Sequence, residues 1–144
     1  MSHLINQFTM DFTFTTDKSM IEKKKKDYAN VYRIDGELKL EVNGEVFFQE
    51  DIAILEFYLQ LKKWFSKKVN NSFYYHTLEV EDDENPIIKF VAAGDNYYLS
   101  SPWSQGKLVY IIEASLLEKT VESFVENFSE KLDNHFSLKT KWFE

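Results

Sequence analysis

Cysteine is absent from the 144-residue chain. That single absence excludes disulfide scaffolds, zinc ribbons, thiol nucleophiles and iron–sulfur clusters. Glycine (4) and proline (2) are scarce, so long irregular loops are disfavoured and most residues belong in regular elements. No apolar run approaches the roughly 20 residues of a membrane span. The opening Met-Ser-His-Leu-Ile-Asn lacks the basic and apolar regions of a signal peptide. A cytoplasmic location is the resulting expectation. Phosphate cradles are missing as well: Gly36, Gly44, Gly94 and Gly106 stand alone, without a G-x-G-x-x-G or a P-loop. Neither a G-x-S-x-G elbow nor an H-E-x-x-H pair occurs. We therefore expect no cofactor and no metal.

Basic charge is in short supply, with Lys+Arg 17 against Asp+Glu 24 and a net charge of −7. That balance repels phosphate backbones and anionic bilayers, so neither nucleic acid nor membrane is an expected partner. What the chain does hold is 44% hydrophobic residues and 17% aromatics, the content of a packed core. A chain of this size buries about two-thirds of its unfolded surface, enough for a core without a covalent or metal staple. No linker-like stretch or internal repeat interrupts it, so one domain over residues 1–144 is expected.

Periodicity gives the elements. From Phe8 to Thr15, Phe8, Met10, Phe12 and Phe14 alternate with Thr9, Asp11, Thr13 and Thr15, which predicts a strand with one wet face. Asp17 to Asp27, with the run Lys23 to Lys26, reads as a solvated connection, and Tyr28 to Ile34 as extended chain. Asp35-Gly36 and Asn43-Gly44 each suit a type I′ turn, since glycine, asparagine and aspartate tolerate positive φ. With Glu37 to Val42 alternating between them, a three-stranded meander over Tyr28 to Gln49 is predicted. At Asp51 the period becomes helical. Ile52, Leu55, Tyr58, Leu61 and their neighbours form a wide apolar arc, leaving Glu56, Gln60, Lys63 and Lys67 as the polar stripe, with Asp51 as N-cap and Asn70-Asn71 as the end. Strands are predicted over Phe73 to Val80, Ile87 to Ala92, Asn96 to Ser100 and Leu108 to Ile112. Ser115-Leu116-Leu117-Glu118 has the form of a capping box, opening a helix with the stripe Leu117, Val121, Phe124, Val125, Phe128 and Leu132. The aromatic content of the tail beyond Asp133 favours its docking. Together these predict an α+β fold, a single mainly antiparallel sheet of about seven strands with two helices packed on one face.

Candidate chemistry is sparse. Of His3, His76 and His135, only His76 sits where a general base could, between Tyr74 and Leu78 on one strand face, and a packed strand residue is the plainer reading. The balance therefore leans away from an enzyme. Glu79, Glu81, Asp82, Asp83 and Glu84 crowd one strand end, but lack the alternate spacing and glycine of a calcium loop, which leaves a solvated acidic surface. Lys23 to Lys26 is bracketed by Glu22 and Asp27 and reads as a solvated loop. Glu118, Glu122, Glu126 and Glu130 recur at every fourth residue of the second helix. Like charges at that spacing are locally unfavourable, so the row suits either solubility or recognition. Tyr97, Tyr98 and Trp103, with Tyr74 and Tyr75 nearby, are either sheet packing or interface anchors.

The segment Glu41 to Phe48, then Leu55-Glu56-Phe57 and Lys63-Trp64, then Gly94-Asp95 and Ser101-Pro102-Trp103, resembles a group of small uncharacterised bacterial proteins containing a domain of unknown function. In size, acidity and lack of cysteine the chain is also similar in style to the immunity proteins that neutralise polymorphic toxins. That likeness implies a protein-binding module, an immunity- or antitoxin-like inhibitor, with a basic partner such as a nuclease. The binding residues expected are Glu118, Glu122, Glu126, Glu130, Glu81, Asp82, Asp83, Tyr97, Tyr98 and Trp103; self-association is a further option. The alternative is a small-molecule-binding protein or enzyme with a pocket between helix and sheet near His76.

Overall fold

The computed structural model describes residues 3–17, 19, 21, 29–67, 71–76, 86–104 and 109–144. The runs Lys23 to Lys26 and Glu79 to Glu84 lie outside them. Strands β1 (His3–Ile5) and β2 (Phe8–Phe14) are followed by a short helix α1 (Asn30–Arg33), then β3 (Gly36–Val42), β4 (Glu45–Ile52) and helix α2 (Ile54–Ser66). Next come β5 (Phe73–Tyr75), β6 (Ile88–Ala93), β7 (Asn96–Ser100), β8 (Tyr110–Glu113) and the long helix α3 (Ala114–Phe136).

The fold is α+β, but the strands form two sheets rather than the single seven-stranded sheet predicted. One has the order β1-β8-β7-β6-β5 and the other β2-β3-β4. Among the described residues all ladders are antiparallel except β1 with β8, where Leu4 lies opposite Ile111 in parallel. Strand pairing over long distances decides sheet membership, and local alternation carries no record of it.

A three-stranded meander exists, with a different first strand. Within the stretch expected to be extended, Asn30–Arg33 form a helical turn instead, because Val31 and Ile34 are buried three residues apart while Tyr32 between them is exposed. Strand β2 takes the vacant place, running from Phe8 opposite Val42 to Phe14 opposite Gly36. Asp35-Gly36 is therefore no hairpin. Gly36 serves close approach instead: a Cβ there would stand 2.7 Å from the Thr13 carbonyl oxygen and 2.9 Å from Ile54 Cγ2. Asn43-Gly44 does turn as expected, with φ of 49° and 81°. The register shifts one residue beyond it, so Leu40 faces Phe48 while Glu41 faces Val46. That bulge lets successive residues Phe47 and Phe48 both be buried.

Both long helices begin differently from expectation. Asp51 is exposed in β4, and the first amide of α2, on Ile54, donates to the Ile34 carbonyl at 3.1 Å. Ser115 lies inside α3 rather than capping it, and the Ala114 amide donates to the Asp95 carbonyl at 2.9 Å. In each case a backbone oxygen from elsewhere in the fold replaces a capping side chain.

The stripe of α3 is buried as predicted, from Leu117 to Leu132, and extends to Phe136. Helix α2 buries Ile54, Leu55, Phe57, Tyr58 and Leu61, and also Glu56, which the sequence assigns to the polar stripe. Between the helices Tyr58 stacks on Phe128 at 4.6 Å, and Phe57 meets Phe124 edge-on at 5.8 Å. The tail docks: Leu138, Thr140 and Phe143 are buried, and Lys62 Nζ lies 3.4 Å from Glu144 Oε1. Desolvation by burial holds the Tyr58 hydroxyl above the usual phenol pKa.

Gly36→Ala tests the close approach. Its new methyl has nowhere to go without moving β2 or α2, so equilibrium denaturation is expected to show a loss of about 1–3 kcal/mol. A change below about 0.5 kcal/mol would contradict the packing.

Candidate functional site

Period two divides the tyrosine cluster between the two faces of the five-stranded sheet. Tyr97 and Tyr75 point inward and are buried, whereas Tyr98 and Tyr74 point outward and are exposed. The Tyr75 hydroxyl donates to the buried Glu56 carboxylate at 3.1 Å, which explains why an acidic residue occupies the covered face of α2. These two tyrosines hold the core, so only Tyr98 and Tyr74 remain open to a partner. Trp103, also exposed, stacks on Phe48 of β4 with ring centroids 6.2 Å apart. Its amide is fixed by the Ser101 hydroxyl oxygen at 3.1 Å.

Ladder register arranges the outward residues in rows. Leu4, Ile111, Tyr98 and Val91 lie side by side across β1, β8, β7 and β6. On one side of that row lie Ala93, Asn96 and Glu113; on the other, Ser100, Lys89 and Tyr74. Leu4 is 59% exposed and Tyr98 38% exposed. The helices engage the opposite face, with Phe57 against Phe73 and Trp64 against Phe90 and Tyr97.

Glu118, Glu122, Glu126 and Glu130 are all exposed along α3, and no ion pair to them occurs among the described residues. Glu118 lies close enough to Tyr97 to act on it. Desolvation, aided by that carboxylate, pushes the Tyr97 phenol above its ordinary pKa. Glu81, Asp82 and Asp83 fall outside the described residues, so the second acidic surface has no structural account.

A different acidic surface does emerge. The outer face of the three-stranded sheet brings Asp11 opposite Lys39 and Glu37 opposite Asp51, with Glu41 on the same face. Lys39 binds Glu41 at 2.9 Å, and Gln49 donates to Glu37 at 2.9 Å. The hydrogen bond and charge of Glu41 raise the Lys39 pKa, with smaller contributions from Glu37 and Asp11. Alternation of Glu37, Lys39 and Glu41 is visible in the chain; their convergence with Asp11 and Asp51 depends on register and is not.

His76 is exposed, and Gln60 clamps its backbone from both sides, donating to the carbonyl at 2.7 Å and accepting from the amide at 3.3 Å. An open groove nearby, of about 640 Å³, is lined by Gln60, Lys63, Trp64, Lys67, Asn71, Ser72, Phe73 and Tyr74. Among the described residues no cluster of three His, Asp or Glu side chains is placed to hold a metal ion. No helix there is long and apolar enough to cross a membrane.

A domain of unknown function, DUF7878, matches residues 10–134. Neither a curated protein nor a solved structure matches the chain.

The link between Glu118 and Tyr97 is measurable by ultraviolet titration of the tyrosines. Glu118→Gln is expected to lower the Tyr97 pKa only slightly, because desolvation is the larger cause. A raised phenol pKa in the folded state means stability falls as pH climbs past the unfolded value, about 10. A Tyr97 that titrates like a free phenol would refute its burial.

Proposed function

The chain belongs to the DUF7878 family, whose function is unknown, and from that premise we propose that it is a protein-binding module for a basic partner. The observation that carries this reading is the row Glu118, Glu122, Glu126 and Glu130, exposed on α3 without ion pairs among the described residues. Four like charges at every fourth position cost a helix a few tenths of a kcal/mol at each step. The opposite stripe of α3 already supplies its packing, so the row adds nothing to the fold. Complementary charge, by contrast, speeds encounter and selects partners.

The outer face of β2, β3 and β4 supports the same reading. Asp11, Glu37, Glu41 and Asp51 there outnumber the single Lys39. Thus two separate elements turn carboxylates outward. A compact acidic protein of this kind fits an immunity- or antitoxin-like inhibitor of the cytoplasm, which would cover the cationic surface of a toxin such as a nuclease. Trp103, held over Phe48, adds an aromatic contact beside the charged β4 edge.

The test is the double variant Glu122→Gln, Glu126→Gln. Affinity capture from native lysate at low salt supplies the partner, and stopped-flow mixing measures association at low and moderate salt. Removing the two charges should slow association and flatten its salt dependence, while dissociation changes less. Stability should hold or rise by a few tenths of a kcal/mol. Equal association rates at both salt concentrations would remove α3 from the binding surface, and capture of no basic protein would overturn the reading.

A further inference from the structure

The edge of β2 that faces away from β3 opens into a groove against α3. The Asn43 amide donates to the Gln7 carbonyl, and the Thr15 amide to the Asp35 carbonyl. The odd residues of β2 therefore direct their backbone groups to β3. In an antiparallel ladder the even residues then turn theirs to the other side. At Phe8 the carbonyl on that side meets the Thr120 hydroxyl at 3.2 Å. Farther along, the backbone amides and carbonyls of Met10 and Phe12 have no hydrogen-bond partner among the described residues. A groove of about 450 Å³ runs between this edge and α3, lined by Thr9, Met10 and Asp11 on one side and by Lys119, Ser123 and Asn127 on the other.

Vacant donors and acceptors at alternate residues of a strand match the backbone of another extended chain. Such a chain takes roughly 4.8 Å across, about 10 Å between faces and about 3.3 Å along its length per residue, or about 160 Å³. The groove therefore holds about three residues, the length that pairs with Met10 to Phe12. Helix α3 bars a second sheet from this edge, but the groove leaves room for a single strand. We propose that an extended, lysine- or arginine-bearing segment of the basic partner adds to β2 as a fourth strand of the three-stranded sheet. This rests on the partner argued above and specifies how it is held.

Charge sets the side-chain pattern of the added strand. A residue opposite Asp11 lies on the outer face of the sheet, where Asp11 already stands opposite Lys39. A cation there continues the alternation of charge across the strands. The next residue along points the other way, toward the exposed Ser123 and Asn127 of α3. Glu126 and Glu130 follow Ser123 and Asn127 by three residues each, so the acidic row ends at the rim of the groove. Lys119, the one cation among the lining residues, sits beside the Thr120 that closes the Phe8 end. A second copy of the chain, at net charge −7, would bring like charge to this rim.

Amide hydrogen exchange of the full chain, read residue by residue by nuclear magnetic resonance, tests the proposal. In the free chain the Met10 and Phe12 amides should exchange about tenfold faster or more than those of Thr9 and Asp11, which β3 holds. The probe is the end-blocked peptide Thr-Lys-Thr-Lys-Thr-Lys-Thr, whose β-branched residues favour extended chain. At twice its dissociation constant it should slow Met10 and Phe12 about threefold and leave Thr9 and Asp11 unchanged. Ser123→Trp, at an exposed helix position, fills the groove and should remove that protection while circular dichroism stays unchanged. Asp11→Asn should weaken the peptide roughly two- to fivefold, the range of an exposed ion pair. Met10 and Phe12 amides that are already slow in the free chain overturn the proposal, as does protection that survives Ser123→Trp. Equal protection by Thr-Glu-Thr-Glu-Thr-Glu-Thr overturns the basic occupant. If the lysine peptide protects neither amide while association of the captured partner still depends on Glu122 and Glu126, strand addition falls and the acidic reading of α3 stands.

Discussion

Phe128 touches Tyr58, Phe12, Phe14 and Phe124, and Phe57 touches Phe73, Tyr75 and Phe124. This chain of rings fixes where the two sheets stand, because they share no ladder among the described residues. Through it, α2 holds the five-stranded sheet and α3 holds β2. Ring pairs of this kind contribute about 0.5–1.5 kcal/mol each beyond their buried area, and edge-on geometry makes them directional. Lys131 closes the arrangement at β2, its ammonium 5.3 Å from the centre of the Phe12 ring. At the other end of that strand, the Thr120 hydroxyl donates to the Phe8 carbonyl at 3.2 Å. Helix α3 thus shields the edge of β2 that β3 leaves open, a common defence against unwanted strand pairing.

With the interior assigned to rings, charge and exposed apolar area are left to sort themselves over separate surfaces. The carboxylates of α3 face solvent opposite its buried stripe. Those of β2, β3 and β4 occupy the wet side of a sheet whose other side is core. Among the described residues, only the five-stranded sheet turns a largely uncharged face outward. This separation follows from period. A helix with a fully apolar stripe must place its charges on the remaining arc, and a strand must place alternate residues on opposite faces.

Periodicity made the elements legible to about one or two residues at β2, β6, β7 and in the α3 stripe. It failed where pairing or tertiary contacts decided the outcome. Val31 and Ile34 look extended beside a predicted turn, yet their spacing of three is what the core uses. The starts of α2 and α3 were misread for one shared reason: the Ile34 and Asp95 carbonyls satisfy amides that a local reading assigns to Asp51 and Ser115. Glu56 looked solvated because its partner, Tyr75, is distant in sequence. Among the candidate residues, the row on α3 was legible because a helix repeats locally. Adjacent Tyr97 and Tyr98 were grouped together, although strand alternation separates them, and the row Leu4, Ile111, Tyr98 and Val91 exists only once the ladders are known.

The parallel pair of β1 and β8 has a consequence for the order of assembly. His3 and its partner Tyr110 are about a hundred residues apart, so a ribosome makes the second well after the first. At roughly 5–20 residues per second, β1 waits several seconds without its neighbour. The meander of β2, β3 and β4 can close long before then, and the Asn43 side chain then receives the amides of Asn6 and Gln7, at 3.1 Å each, holding the end of β1 near the growing sheet. Leu4 joins Ile111 only when β8 has left the ribosome, so the apolar row is completed well after its first strand is made. A nascent chain that stops short of β8 therefore carries the fragments of the row apart, and the continuous row exists only once β1 and β8 have met.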